Sequence, residues 1–362
     1  MSPELEKYYN TNYTKCNCSN EFLASWLGVA YPCHTLQGIA LPFQLLTFWI
    51  IINKTPANMK SMNCVLLDFL VCSMSTPYVF IHFLGFYGAG LFTWFGVSNM
   101  VQIVTGLLVF FGMVNSNIFV FESRSSSLQM NRFRMTRTSV RIMYHVVSFC
   151  LNSSFGLILL FAPDDQSAAK LDALKLDPCP TREFFINDIL IISTDIHTIQ
   201  FILWIGTPVI MLHMTLHLFF HAICTIYYLY IAPSKSISVE TQRNQRKFFM
   251  GVIFQTAIPM VVFLSIVMVI IIDGVKQSIS QSIMNSTIIT VAGHGTVESI
   301  SVILVHHSYR RVVLRMLRKP KPKSKQNNLM IERNATNYVF RSEQYPSSVS
   351  RGHATNLKEY FY

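Results

Sequence analysis

Three sets of side chains in this sequence have types and spacings that could do chemistry. Glu122-Ser123-Arg124 places an acid two residues from an arginine. Held by carboxylates or carbonyls at rest, such an arginine could be released to meet a partner; the plainer reading is a basic flank with a chance acid, because exposed ion pairs are often worth under ~1 kcal/mol. Asp68 and Glu298 are acids inside long apolar stretches. An acid in that setting is costly and marks a functional candidate with a partner. The two could share a proton, hold a cation, or bond to Asn, Ser or Thr as interhelical glue, and glue is expected because no spacing dictates a metal site. His213, His217 and His221 recur every four residues, so a helix carries all three on one face. They lack the Glu of a zinc-binding HExxH helix and are expected to pack against the third or sixth apolar segment. No Gly-rich phosphate loop and no nucleophile elbow is present, so neither an enzyme nor a cofactor or metal is expected.

The elements that must position these groups follow from hydropathy. The chain is 51% hydrophobic and 13% charged, too apolar for an ordinary soluble domain. Its charges are bunched: residues 22–53, 142–163, 196–234 and 248–272 carry none, and Glu298 is the only one between Lys276 and Arg310. Residues 61–121 hold a single acid, Asp68, and split at the Gly-rich GFYGAG. A hydrocarbon core of ~30 Å needs ~20 apolar helical residues. Seven spans are therefore predicted, over residues 30–53, 61–83, 96–121, 141–162, 200–230 (kinked near Pro208), 248–272 and 283–306. The fold class is all-α, a seven-helix membrane bundle.

Orientation comes from the basic residues. Twenty-three of the 29 Lys and Arg fall on one side of these spans and six on the other, which puts the C-terminal tail in the cytoplasm and the N-terminus outside. The net charge of +11 is thus a topology signal and not a mark of nucleic-acid binding. Four regions result: an outer tail over 1–25, a bundle over 26–307, an amphipathic surface helix over 308–319 lying on membrane lipids, and a disordered tail over 320–362. The N-terminus lacks the pattern of a cleaved signal peptide. Sequons at Asn12 and Asn17 agree with an outer location, whereas those at Asn152, Asn285 and Asn334 fall in spans or the cytosolic tail. The segment 163–195 reads as a long acidic outer loop, seven acids against three bases. The outer side is oxidising. Cys179 is expected to pair with Cys16 or Cys18, there being no cysteine at the outer start of the third span.

Five pieces in order resemble one family: NKTPANM after the first span, Glu122-Ser123-Arg124, PDDQ…PCP in the outer loop, QRKFF…Q…IP through the sixth span, and His294-Gly295…His306…Tyr309-Arg310. The chain is similar over roughly residues 25–315 to nematode serpentine chemoreceptors of class H. That resemblance implies a multi-pass receptor of the cell membrane and sensory cilia, with a heterotrimeric G protein and a small odorant or soluble chemical as partners. One departure is Glu298, where the family usually has a small polar residue. The implied cavity opens outward between spans three, five, six and seven, with Asn99, Gln102, His197, Gln255 and His294 as candidates to orient the ligand. Glu122, Arg124, Tyr309 and Arg310 are the candidates for switching or G-protein coupling. Other readings are a ligand-gated seven-span channel, which would set the N-terminus inside, or a membrane scaffold that does not signal. A light receptor is disfavoured because the last span has no Lys for a retinal Schiff base.

Overall fold

The computed structural model describes residues 2–16, 21–54, 70–233, 238–276, 280–305 and 307–317. The chain divides into two units, residues 1–313 and 314–362, and the second is described only at 314–317. Asn17, Cys18, Asp68 and the tail over 320–362 lie outside the described residues.

Among the described residues, five helices are long and apolar enough to cross a bilayer: Asn99–Ser127, Thr138–Phe161, Ile196–Ile231, Val239–Val269 and Gln281–Leu304. They are the expected third to seventh spans. The first span is Trp26–Lys54, with Pro32 and Pro42 inside it. Of the second, only a π-helical turn at Leu70–Ser75 is described. Span seven packs chiefly on spans one and six, and span three on spans five and four.

Local chemistry explains the departures from ideal helices. In span five a π-helical turn at Ile202–Gly206 runs directly into Thr207-Pro208. Proline has no N–H to donate, and the wider turn absorbs the missing bond. The Thr207 hydroxyl donates to the Ile202 carbonyl at the same place. Span six continues past its apolar part as one helix over Val239–Lys276. Its basic end is useful: Arg246 donates to the Leu229 carbonyl and stacks on the Tyr230 ring at 4.8 Å, clamping it to the end of span five. Val209, Leu212, Leu216, Phe219 and Ile223 form an exposed apolar stripe on span five, and Met214, His221 and Cys224 turn inward. In water that exposure would be unfavourable; facing lipid it costs nothing.

The end of the bundle that carries the N-terminus, expected to face outward, differs from the expected loops in three ways. First, span two does not run to residue 83. Residues Pro77–Phe80 (β1) and Gly85–Gly88 (β2) form an antiparallel hairpin, and Leu190–Ile191 (β3) joins β2. The all-helical bundle therefore carries one small sheet. GFYGAG supplies its second strand because that strand presses on span three: a Cβ on Gly88 would sit 2.0 Å from the Gln102 Oε1. Second, the segment 163–195 is structured. It holds a helix over Gln166–Leu176, capped by Asp165 on the Ser167 and Ala168 amides, a helical turn at Glu183–Ile186, and β3. Third, the N-terminal segment is docked. Its helix Pro3–Thr11 buries Leu5, and it is tied down by Cys16 bonded to Cys179, one of the two expected pairings, with Cα atoms 5.7 Å apart.

These pieces share a core of Leu5, Val29, Tyr78, Phe80, Phe83, Phe184, Phe185 and Ile191. Tyr78 is its polar tie: the fully buried hydroxyl meets the Ala24 carbonyl and the Thr181 hydroxyl. Loss of water around the phenol pushes its pKa well above the usual tyrosine value.

Candidate functional site

An apolar cavity of about 230 Å³ lies between spans three, five, six and seven. Span three contributes Gly106, Phe110, Met113, Val114 and Asn117, which share one helical face. Apart from its own helix backbone, no atom of the described residues lies within 4 Å of where a Gly106 side chain would begin, so the glycine leaves room at the wall. Span five contributes Met211, Met214 and Thr215, span six Met260, and span seven His294. Four methionines make a soft, polarizable wall that can adapt to the shape of what it holds.

Few polar groups enter this cavity, and one has a defined role. His294 is buried, and its Nδ1 lies against the Val291 carbonyl. A carbonyl can only accept, so Nδ1 carries a hydrogen, and in that tautomer Nε2 is the acceptor. Such a ring suits a ligand with a hydroxyl or N–H donor. Among the described residues, Asn117 and Thr215 are the other polar side chains in the wall.

A second polar assembly joins spans three, four and five. Glu122 is fully buried and accepts from Arg141 Nε at 2.7 Å and from the Ser126 hydroxyl at 2.7 Å; His145 Nε2 lies 3.4 Å away. Arg141 also stacks on Phe119 at 5.3 Å. The ionisable partners of Glu122 are thus on span four, 19 and 23 residues away, and not Arg124. Arg124 is half-buried, and the Tyr309 side chain is near enough to act on it electrostatically. Arg310 is exposed, with one nitrogen 3.5 Å from the Leu304 carbonyl. The histidine stripe also meets span four, not span three or six, in its hydrogen bonds: Tyr144 bonds to His217 Nδ1 at 2.6 Å and to His221 Nε2 at 3.2 Å, and His213 meets Asn152 at 3.1 Å.

Three of the other expected ligand residues, Asn99, Gln102 and His197, are not in the cavity wall. Asn99 accepts from the Gly88 amide and donates to the Asp188 carbonyl, fixing the top of span three to the sheet. Gln102 is buried and donates to the Val97 carbonyl and the Thr93 hydroxyl. His197 is exposed beside Asp195, which caps the start of span five. The side chain of Gln255 lies outside the described residues. Glu298 is buried on span seven. The methionines escape a search for polar ligands, and Asn117 and Thr215 are not among the expected residues, although Met211, Met214 and Thr215 already share a face in the sequence. Arg141 and His145 read there as a basic flank and an ordinary span residue.

A multi-span helical bundle with an internal cavity and one face rich in basic residues has the architecture of a seven-transmembrane receptor. The family model described as "Serpentine type 7TM GPCR chemoreceptor Srh" matches residues 24–319. The chain is also 32% identical over 321 residues to "Serpentine receptor class H-72" of Caenorhabditis elegans, covering 84% of this chain and 90% of that protein. This chain belongs to the Srh family of serpentine chemoreceptors, which are receptors and not enzymes.

Proposed function

We propose that the chain is a chemosensory receptor that binds a compact, mainly apolar environmental molecule between spans three, five, six and seven and activates a heterotrimeric G protein. The observation that carries this reading is the methionine-walled cavity with His294 as an acceptor. At about 230 Å³ it falls below the ~300 Å³ lower end of drug-sized sites, which favours a small alcohol or similar donor. The coupling face is the inner end of span three with the residues after span seven, Arg124, Tyr309 and Arg310. The excess of basic residues supports a cytoplasmic tail and an outer N-terminus with glycans on Asn12 and Asn17, and membership of a chemoreceptor family supports a place in the cilium of a sensory neuron. That orientation disfavours the channel reading. Asp68 and Glu298 serve as interhelical glue.

Expression with a G-protein reporter, screened against small volatile and water-soluble chemicals, tests the proposal. Met214→Trp should fill the cavity and abolish the response at unchanged surface expression. His294→Leu should lower sensitivity to alcohols about tenfold, the loss of roughly 1.4 kcal/mol. A full response in both variants removes the cavity from the mechanism.

A further inference from the structure

The outer cap contains a second cavity of about 490 Å³, walled by the N-terminal segment, the turn of the hairpin, residues 177–183 and the start of span seven. Its chemistry is opposite to that of the inner cavity. The carboxylates of Glu21, Asp177 and Glu183 line it against one arginine, Arg182, and His82. Phe22, more than half exposed, adds an aromatic surface. We infer that this vestibule is a separate binding site for a small organic cation of the ammonium class.

The carboxylates have capacity for it. A carboxylate offers about four acceptor positions. Among the described residues, Glu21 accepts from the Ser282 hydroxyl, Glu183 from the Trp26 amide, and Asp177 from the Cys179 amide. Burial raises the Asp177 carboxyl above its usual value, while His82 pulls the other way. A carboxylate deprived of water gains most from an incoming cation, and an aromatic face attracts the same charge. The wall is also pinned as a unit, because Cys179 lies in it and is bonded to Cys16. A neutral molecule of the same shape would leave the acids uncompensated.

The test uses the full chain in lipid nanodiscs, carrying Met214→Trp so that the inner cavity cannot take up a neutral probe. Choline and its uncharged isostere 3,3-dimethylbutanol are compared by calorimetry and saturation-transfer NMR. Choline should bind at least about tenfold more tightly. Glu21→Gln with Asp177→Asn should lower its affinity by a similar factor, and Arg182→Ala should raise it severalfold. The opposite signs separate charge recognition from damage to the cap, and a retained Cys16–Cys179 bridge on non-reducing gels confirms its integrity. Should the double variant fail to fold, Asp177→Asn and Arg182→Ala alone decide. Equal affinity for the two probes, unchanged binding in the acid variants, or weaker binding in Arg182→Ala overturns the inference. None of these outcomes bears on whether the inner cavity signals.

Discussion

The cap at the N-terminal end of the bundle and the transmembrane helices solve the packing problem in opposite ways. The cap works in water and has the ordinary anatomy of a small soluble domain: a continuous apolar core, a sheet, capped helices and a disulfide. The spans keep only small apolar clusters, such as Met113, Val114, Ile118 and Met214, and turn Leu212, Leu216 and Phe219 outward. What they bury is polar to an unusual degree: Glu122, Ser125, Asn152, His221 and Glu298 are all inside. The difference follows from the solvent. Water drives apolar groups together, whereas lipid gives them no such drive and leaves polar pairs and shape to bring helices into register.

Cutting the bridge should break the comparison most sharply. Cys16→Ser opens a link across 163 residues of chain and should cost the cap about 2–5 kcal/mol. Thermal unfolding of purified protein should show an early transition in near-ultraviolet circular dichroism while the helical signal persists. A single unchanged transition would mean that cap and bundle are one cooperative unit. Glu122→Gln addresses the other region. Arg141 keeps 30% exposure, so stranding it should cost about 2–3 kcal/mol, less than the ~3–5 kcal/mol of a fully buried pair. The melting temperature of the helical signal should fall, and Arg141→Leu added to Glu122→Gln should recover part of it. No recovery would show that the pair is not what holds span three to span four.

Smaller effects refine the picture. Tyr78→Phe removes one hydroxyl from the cap and leaves the Ala24 carbonyl with one donor fewer, which should cost about 1–3 kcal/mol. Hydrogen exchange should quicken in the hairpin and not in span five. The pH dependence is expected to be the weakest signal and has two opposing parts. The Asp177 carboxyl is raised by burial, so its penalty is absent below the unfolded value of ~3.9 and builds up as pH rises to the folded value. The Asp195 carboxyl is lowered, chiefly by the Thr198 hydroxyl and amide, so its contribution is present above ~3.9 and lost as pH falls through the folded value. Asp177→Asn should therefore remove a fall in cap stability on going from pH 4 to neutral, measured by thermal melts across that range. An unchanged pH profile would place Asp177 in open solvent.

How much could be read beforehand depended on the region. The third to seventh spans were legible because bilayer thickness imposes a length and lipid imposes a composition, and each leaves its mark within one continuous segment. The Pro208 distortion was legible for the same reason, since proline acts on its own turn. The cap was not. Residues 77–83 are apolar enough to pass for the end of a span, and only their pairing with Gly85–Gly88 and Leu190–Ile191 makes them a sheet. Asn99 and Gln102 had the right type and depth for ligand contacts. Gly88 of the hairpin and the Asp188 carbonyl took the bonds of Asn99, and Thr93 and Val97, just before the third span, took those of Gln102, which no pattern along the span itself reveals.

The sequence by itself determined the membrane class, the unequal charge of the two faces and the family, because hydropathy, charge and motif order are properties of the chain read in one dimension. Tertiary structure alone decided that Glu122 meets Arg141 and not Arg124, that the histidine stripe faces span four, and that methionines wall the cavity. Those outcomes depend on which helix faces meet, and an individual helix carries several faces that could serve.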